Sequence, residues 1–225
     1  GRNTALTYSE ELHKQHFAIN ELENQLRKAI DENQLKLFLQ PIVDLTTGKI
    51  VKCEALARWI TPEGKFISPE VFIPLAEKSE LIFPFGEWLI NEACNAIDAL
   101  KGANLGIRLA INISGRQVSD LALLNQIKNA LEDHQLPGSN LSIELTESVL
   151  VESLDVVSVL FNELRGMGIT VSIDDFGTGF SSLVYLKKLP IDELKIDRSF
   201  VSELEKNTDD QAIVQAILGL AHNLN

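Results

Sequence analysis

Short apolar runs alternate with longer segments of helical periodicity along most of this chain. Strand-like runs are predicted at residues 35–40, 50–59, 107–114, 141–146, 169–174 and 193–197. Apolar residues recur at helical spacing in the segments 17–32, 86–101, 120–134 and 154–165, and further helices are predicted to begin at Ser68-Pro69 and at Thr208, which has a capping-box spacing to Gln211. The repeated order of strand and helix predicts parallel strands joined by crossover helices.

The middle strands alternate between apolar and polar positions. In segment 141–146 the odd-numbered residues are Leu or Ile and the even-numbered residues are polar, and segments 107–114 and 169–174 follow a similar pattern. A parallel sheet covered by helices on both sides would be apolar on both faces. The pattern therefore favours an α/β barrel with large aliphatic residues against the outer helices and small polar residues inside.

The polar faces of four strands carry groups that can bind a cation. These groups are Glu54, Asn112, Glu144 and Asp174, with Asp175 directly after. Barrels of this kind place their chemistry at the carboxyl ends of the strands. Several carboxylates gathered there would repel one another unless a cation lay among them. Oxygen ligands without histidine or cysteine favour Mg²⁺ or Mn²⁺ over zinc, so we expect a metal site, with a structural polar cluster as the alternative.

Lys195 is the only cation predicted on this polar face, beside Glu193 and Asp197. Acidic neighbours should keep it protonated, which favours an electrostatic role over a Schiff base. The structural alternative is a buried ion pair with Asp197. Residues 175–182 are predicted to form a glycine-containing loop, a candidate lid over the site.

The amino-acid composition argues against several kinds of partner and structure. The chain has 32 acidic and 20 basic residues, a net charge of −12, which argues against a nucleic acid polymer as partner. Two cysteines cannot form a disulfide framework, and Cys53 falls on an apolar strand face, so we expect a buried thiol. No apolar run approaches the roughly 20 residues of a membrane span. We therefore expect a cytoplasmic segment without membrane contact, although a longer parent protein could be anchored elsewhere.

Several stretches, in order, resemble the EAL domain family of cyclic-di-GMP phosphodiesterases. They are QPIV at 40–43, CEALARW at 53–59, FIPLAE at 72–77, NIS at 112–114, ELTE at 144–147, DDFGTG at 174–179 and LKID at 194–197. The resemblance implies a TIM-like barrel with an antiparallel first strand. It also implies hydrolysis of cyclic-di-GMP to pGpG in bacterial second-messenger signalling, with one or two Mg²⁺ or Mn²⁺ ions.

The resemblance also implies roles for individual residues. The metal ligands would be Glu54, Asn112, Glu144, Asp174 and Asp175, and Glu54 and Lys195 would be catalytic. Gln40 and Arg58 would contact the substrate. Glu147 would support the loop that contains Gly177 and Gly179.

Residues 35–225 are expected to form the EAL barrel, and residues 1–34 a connecting segment. Gly1-Arg2-Asn3 and Tyr8 resemble the end of a GGDEF domain. Residues 1–12 would then be the tail of that domain, which points to a tandem GGDEF–EAL protein. The family continues with a seventh strand and an eighth strand beyond the last helix predicted here. We therefore expect a barrel truncated before its last two strands, with strands supplied by another chain as the alternative. Family members often pair through their EAL domains, so an EAL homodimer is a further expectation.

Three functions stay open from the sequence. The first is a metal-dependent cyclic-di-GMP phosphodiesterase. The second is a receptor module that binds cyclic-di-GMP without cleaving it, and the absence of the seventh-strand residues from this sequence keeps it open. The third is an aldolase-like or enolase-like barrel enzyme that uses Lys195 and a metal.

Overall fold

The structure is a computed structural model, and it describes residues 10–32, 34–103, 105–120, 122–152, 154–179, 186–187 and 189–224. The strands are β1 (Leu35–Val43), β2 (Ile50–Ile60), β3 (Phe66–Ile67), β4 (Arg108–Asn112), β5 (Leu141–Thr146), β6 (Thr170–Phe176) and β7 (Glu193–Ile196). The helices are α1 (Glu10–Asp31), α2 (Pro69–Lys78), α3 (Ile82–Gly102), α4 (Gly115–Val118), α5 (Leu123–Asp133), α6 (Glu147–Glu152), α7 (Leu154–Gly166), α8 (Arg198–Ser202) and α9 (Thr208–Leu224).

The strands form a single sheet in the order β1-β2-β4-β5-β6-β7, with β3 paired to β2. The pairs from β2 to β7 along this path are parallel. β1 is antiparallel to β2, because the Ile60 amide donates to the Gln34 carbonyl at one end and the Asp44 amide to the Lys49 carbonyl at the other. The predicted α/β fold with an antiparallel first strand is confirmed. Between β1 and β7 the sheet is open over the residues that the structure describes.

The chain divides into two units. The first contains the residues up to Lys36 together with Ala57–Phe85. Within it, α1 packs against α2, which begins where Ser68 Oγ accepts a hydrogen bond from the Glu70 amide and Pro69 occupies the first turn. The rings of Trp59 and Phe72 meet edge to face, with centroids 6.0 Å apart, and form the centre of this unit's core.

The second unit contains Leu37–Leu56 and the chain from Gly86 onward. Both faces of its middle strands are buried. The aliphatic face carries fully buried Leu and Ile side chains such as Ile111 and Ile143, and the polar face carries Ser142, Glu144 and Ser172, which are also fully buried. Buried polar groups need hydrogen-bond partners, and this face supplies them among its own side chains.

The structure corrects the predicted position of the start of α3 and the predicted cap of α9. α3 begins at Ile82 rather than Gly86, because apolar residues continue the helical pattern before the glycine. α9 begins at Thr208 as predicted, but Asn207 caps it: Asn207 Oδ1 accepts from the amides of Asp209 (3.0 Å) and Asp210 (3.4 Å). Gln211 does not complete a capping box with Thr208; it donates to the Leu204 carbonyl at 2.7 Å.

The described part of residues 1–34 is largely the helix α1, and residues 1–9, which include most of the GGDEF-like stretch, lie outside the described residues. The domain boundary at residue 35 stays a prediction.

Among the described helices, none combines the length and the apolar character that crossing a membrane requires.

Candidate functional site

Three carboxylates from three strands meet within the second unit. Glu54 lies on β2, Glu144 on β5 and Asp174 on β6, and one oxygen of each lies within 4.8 Å of the others. The parallel register pairs Asn112 with Glu144 and Glu144 with Ser172, so Asp174 lies two residues further along β6 on the same face. Glu144 is fully buried, and the other two carboxylates are half-buried. The predicted convergence of these residues is what the structure shows.

Lys195 on β7 links the three carboxylates. Its Nζ donates to Glu144 Oε2 at 2.5 Å, to Asp174 Oδ2 at 2.9 Å and to Glu54 Oε2 at 3.3 Å. Asp197, the partner in the structural alternative, is engaged elsewhere: it caps α8 by accepting from the Ser199 amide at 2.9 Å. Lys195 therefore compensates the acidic cluster rather than a neighbour on its own strand.

Burial and hydrogen bonding act in opposite directions on this cluster. Burial raises the pKa of Glu144 above its ordinary value, and the hydrogen bond and charge of Lys195 oppose that rise. Burial alone would lower the pKa of Lys195, but its hydrogen bonds to Glu144 and Asp174 outweigh burial and hold the pKa above its ordinary value. Lys195 is accordingly an ammonium ion at neutral pH, as predicted from its acidic neighbours.

Asn112 ends β4 next to the cluster. Its Nδ2 donates to Glu54 Oε1 at 2.9 Å, which orients that carboxylate. Because this bond uses the amide nitrogen, the side-chain carbonyl oxygen is the atom with which Asn112 can coordinate a metal.

Asp175 lies beside the cluster rather than within it. The residue is exposed, has a positive φ of 54°, and donates its amide to Asp174 Oδ1 at 3.0 Å. A non-glycine residue with this backbone conformation is uncommon and often marks a functional site. Partial desolvation, together with the charges of Asp174 and Asp197, raises the pKa of Asp175. Its carboxylate is not among the three that share the 4.8 Å cluster.

Glu147 is hydrogen-bonded to the loop that follows β6. It begins α6 directly after β5, is 3 % exposed, and its Oε2 accepts from the amides of Gly177 (2.8 Å) and Gly179 (3.1 Å). Gly177 has a φ of 103°, and a Cβ at Gly179 would lie 2.9 Å from the Glu147 carboxyl carbon. The positive φ favours glycine at position 177, and a Cβ at position 179 would displace the Glu147 carboxylate. Residues 180–182 of the predicted lid lie outside the described residues.

Gln40 and Arg58 were expected to contact the substrate. Gln40 is exposed on β1 and belongs to the second unit, whereas Arg58 is half-buried on β2 in the first unit, where its Nη1 donates to the Ala57 carbonyl at 2.9 Å. Their roles stay predictions.

A second buried cation, not predicted from the sequence, lies on the same polar face as Lys195. Lys52 precedes Glu54 by two residues on the same face of β2, and its Nζ donates to Glu144 Oε1 at 3.3 Å and to Glu193. The prediction that Lys195 is the only cation on this face is therefore wrong. The alternation of the strand was a sufficient signal to find Lys52, because residues two apart in a strand share a face.

Neither cysteine forms a disulfide, and both are buried. Cys53 is a buried thiol on β2, as predicted, and burial raises the pKa of its thiol.

Comparisons with known proteins agree on one family. The family model described as the EAL domain matches residues 23–225. The bifunctional diguanylate cyclase/cyclic di-GMP phosphodiesterase MucR of Pseudomonas aeruginosa is 44 % identical over 206 residues, which cover 91 % of this chain and 30 % of MucR. The cyclic di-GMP phosphodiesterase NbdA of the same organism is 37 % identical over 226 aligned positions, which cover 100 % of this chain and 29 % of NbdA.

The solved structures show the same likeness. The structure titled PaMucR phosphodiesterase, c-di-GMP complex, superposes with a TM-score of 0.86 at 44 % identity, covering 91 % of this chain and 83 % of that one. This chain spans only about three tenths of the length of MucR and NbdA, at 30 % and 29 %.

Proposed function

This chain belongs to the EAL domain family, and we propose that it hydrolyses cyclic-di-GMP to linear pGpG with the help of divalent metal ions. The observation that carries the proposal is the meeting of Glu54, Glu144 and Asp174 around the ammonium group of Lys195. Carboxylates from three strands, one of them fully buried, form a negatively charged site that a cation would stabilise. Two relatives that share this domain, MucR and NbdA, carry the name cyclic di-GMP phosphodiesterase.

The donor atoms fit a hard divalent cation. We propose Glu54, Asn112, Glu144, Asp174 and Asp175 as the ligand residues and Mg²⁺ or Mn²⁺ as the ion, because all the donors are carboxylate or amide oxygens. Three carboxylates outnumber the two ammonium groups that contact them, those of Lys195 and Lys52, so the cluster can accept further positive charge. Divalent ions held there would neutralise the negative charge of a phosphodiester and lower the pKa of a coordinated water.

Lys195 contributes a fixed positive charge at the same place. A protonated lysine donates hydrogen bonds to a water or to a phosphate oxygen and stabilises negative charge that develops there. It lacks the free electron pair that imine formation requires. The raised pKa of Lys195 thus argues against the aldolase-like alternative.

The loop after β6 is held against the site by Glu147. A carboxylate that accepts two backbone N–H bonds makes charge-assisted bonds, which are stronger than neutral ones. We propose that Glu147 acts as a positioning residue: it keeps the backbone from Asp174 to Gly179 in the conformation that places Asp174 in the cluster and Asp175 beside it.

The receptor alternative is not favoured, because the acidic cluster and Lys195 are all in place.

We retain Gln40 and Arg58 as proposed substrate contacts. An upstream GGDEF domain in the same polypeptide is also proposed, with support from the bifunctional name of MucR. A cytoplasmic location is proposed as well, and two free, buried thiols are compatible with its reducing environment. The EAL homodimer stays a prediction.

The test is product formation by the full-length protein. We expect cyclic-di-GMP to be converted to pGpG with Mg²⁺ or Mn²⁺ and to stay intact with EDTA, as followed by liquid chromatography. Glu54→Gln should lower turnover by at least about 100-fold, because it replaces a charged metal ligand by a neutral side chain of similar shape. Glu132→Gln, on the exposed face of α5, should leave turnover unchanged. Undiminished turnover by Glu54→Gln would overturn the proposal. Binding of cyclic-di-GMP without any pGpG would support the receptor alternative.

A further inference from the structure

A second group of polar side chains lies next to the carboxylate cluster, one step earlier along the strands. Its members are Lys52, Arg108, Ser172 and Glu193. Lys52 precedes Glu54 by two residues, Ser172 precedes Asp174 by two, and Glu193 precedes Lys195 by two, so each shares a strand face with a residue of the site. Lys52 is only 6 % exposed. A buried ammonium group needs charged partners, and Lys52 has two.

The two lysines contact different oxygens of Glu144. Lys52 donates to Oε1 at 3.3 Å, and Lys195 donates to Oε2 at 2.5 Å. Because Lys195 also contacts Glu54 and Asp174, Oε2 is the oxygen on the side of the other two carboxylates. Glu144 is fully buried, so bulk water cannot replace Lys52 at Oε1. The orientation of this carboxylate therefore depends on Lys52.

Glu193 fixes the position of Lys52. Its Oε2 accepts from Lys52 Nζ and from Ser172 Oγ, the latter at 2.9 Å, and its Oε1 lies 3.7 Å from Arg108 Nη1. The sheet register places Ser172 opposite Glu193 and Lys52 opposite Arg108, so four strands define the arrangement. The contacts hold the pKa of Glu193 below its ordinary value, although burial alone would raise it.

We propose that Lys52, anchored by Glu193, is a positioning residue that fixes Glu144 Oε1 and so presents Oε2 to a divalent ion held by the three carboxylates. This inference rests on the proposed metal-dependent function. Side chains that orient metal ligands change metal affinity by about 10–100-fold when they are removed. If Lys52 acted only through its positive charge, its removal would have the opposite effect: the divalent ion would be repelled less and would bind more tightly.

The decisive variant removes both charges at once. Lys52→Met/Glu193→Gln leaves the net charge unchanged and removes the anchored ammonium group together with its counter-ion. The double change avoids leaving one charge of the ion pair buried without its partner. The matched control is Lys128→Met/Glu132→Gln, which removes an exposed pair 3.8 Å apart on α5. Calorimetry measures Mn²⁺ affinity in the substrate-free full-length protein, and steady-state kinetics measure kcat and KM for cyclic-di-GMP.

We expect the double variant to bind Mn²⁺ at least about tenfold more weakly than the wild type, with a lower kcat and a KM within about twofold of the wild-type value. The control should match the wild type. Equal or tighter Mn²⁺ binding by the folded double variant overturns the proposal. If the double variant does not fold, Lys52→Met alone decides: weaker Mn²⁺ binding supports the proposal, because the loss of a cation by itself would tighten binding, and equal or tighter binding overturns it. A wild-type protein that binds Mn²⁺ but releases no pGpG would overturn the proposed function, and the Mn²⁺ affinities would still decide the role of Lys52.

Discussion

The Nζ atom of Lys195 lies 2.5 Å from Oε2 of Glu144, and Glu144 has no exposed surface. The bond joins β5 to β7 and brings a positive charge to a carboxylate whose burial would otherwise favour its neutral form. The metal-free cluster thus depends on Lys195 for its charge balance.

Lys195→Met should make the cluster depend on a divalent ion instead. Removing one partner of a buried pair costs about 3–5 kcal/mol, and the partial exposure of Lys195 and Asp174 reduces the expected loss of stability to about 2 kcal/mol. Thermal unfolding with and without Mn²⁺ measures this. We expect Mn²⁺ to raise the melting temperature of the variant more than that of the wild type, while turnover falls. A smaller Mn²⁺ effect in the variant would contradict this role for Lys195.

Glu147→Ala should loosen the loop after β6 without unfolding the protein. The Gly177 and Gly179 amides lose their acceptor, so their hydrogen exchange should become faster while that of the β5 and β6 backbone stays slow. Hydrogen–deuterium exchange with mass spectrometry resolves the two regions, and kcat should fall in the same variant. Unchanged exchange at residues 177–179 would show that Glu147 does not hold the loop.

Gly179→Ala should disturb the same contact sterically. The added methyl would lie 2.9 Å from the Glu147 carboxyl carbon, so Glu147 must move away from the loop amides. Gly219→Ala on α9 is the matched control, because a Cβ there has open space and alanine favours a helix. We expect reduced turnover for the first variant and wild-type turnover with equal or higher stability for the second. Equal kinetics for both would contradict the close approach at Gly179.

Gly86→Ala should destabilise the second unit. A Cβ at Gly86 would lie 1.9 Å from Gln117 Nε2, and Gln117 is buried with its Oε1 bonded to the Ser114 amide at 3.0 Å. Overpacking of this kind costs about 1–3 kcal/mol. Gly102→Ala, in the last turn of the same helix, has open space and should change stability by less than about 1 kcal/mol. Urea unfolding of both variants tests the difference, and equal midpoints would contradict the packing of Gln117 on α3.

Both cysteines should resist thiol reagents in the native protein. Burial, with the charge of Asp98, raises the pKa of Cys94 to about 11, and burial also raises the pKa of Cys53. Only the thiolate reacts, so little of either thiol is reactive at pH 8. Ellman's reagent should therefore report both thiols only after denaturation. Rapid reaction of either one in the folded protein would contradict its burial.

The alternation along the strands made much of the site predictable. Glu54, Glu144 and Asp174 each occupy the polar face of a strand, and parallel register brings such faces together. The contact between Lys52 and Glu193 was not predicted, because it joins residues 141 positions apart in the sequence. It also depends on the register of the strand pairs that lie between β2 and β7 in the sheet. Likewise, the positive φ of Asp175 is a property of the irregular end of β6, where the register with β7 shifts. Asn207 caps α9 through a side-chain rotamer, and spacing alone did not distinguish it from Thr208.

Anomalous scattering from crystals of the full-length protein grown with Mn²⁺ would locate the divalent ion among these side chains. We predict a peak within about 2.0–2.6 Å of oxygens from Glu54, Glu144 and Asp174, with Glu144 Oε1 still bonded to Lys52. If Mn²⁺ binds elsewhere while these three carboxylates contact only their protein partners, the metal-dependent function proposed for this chain is wrong.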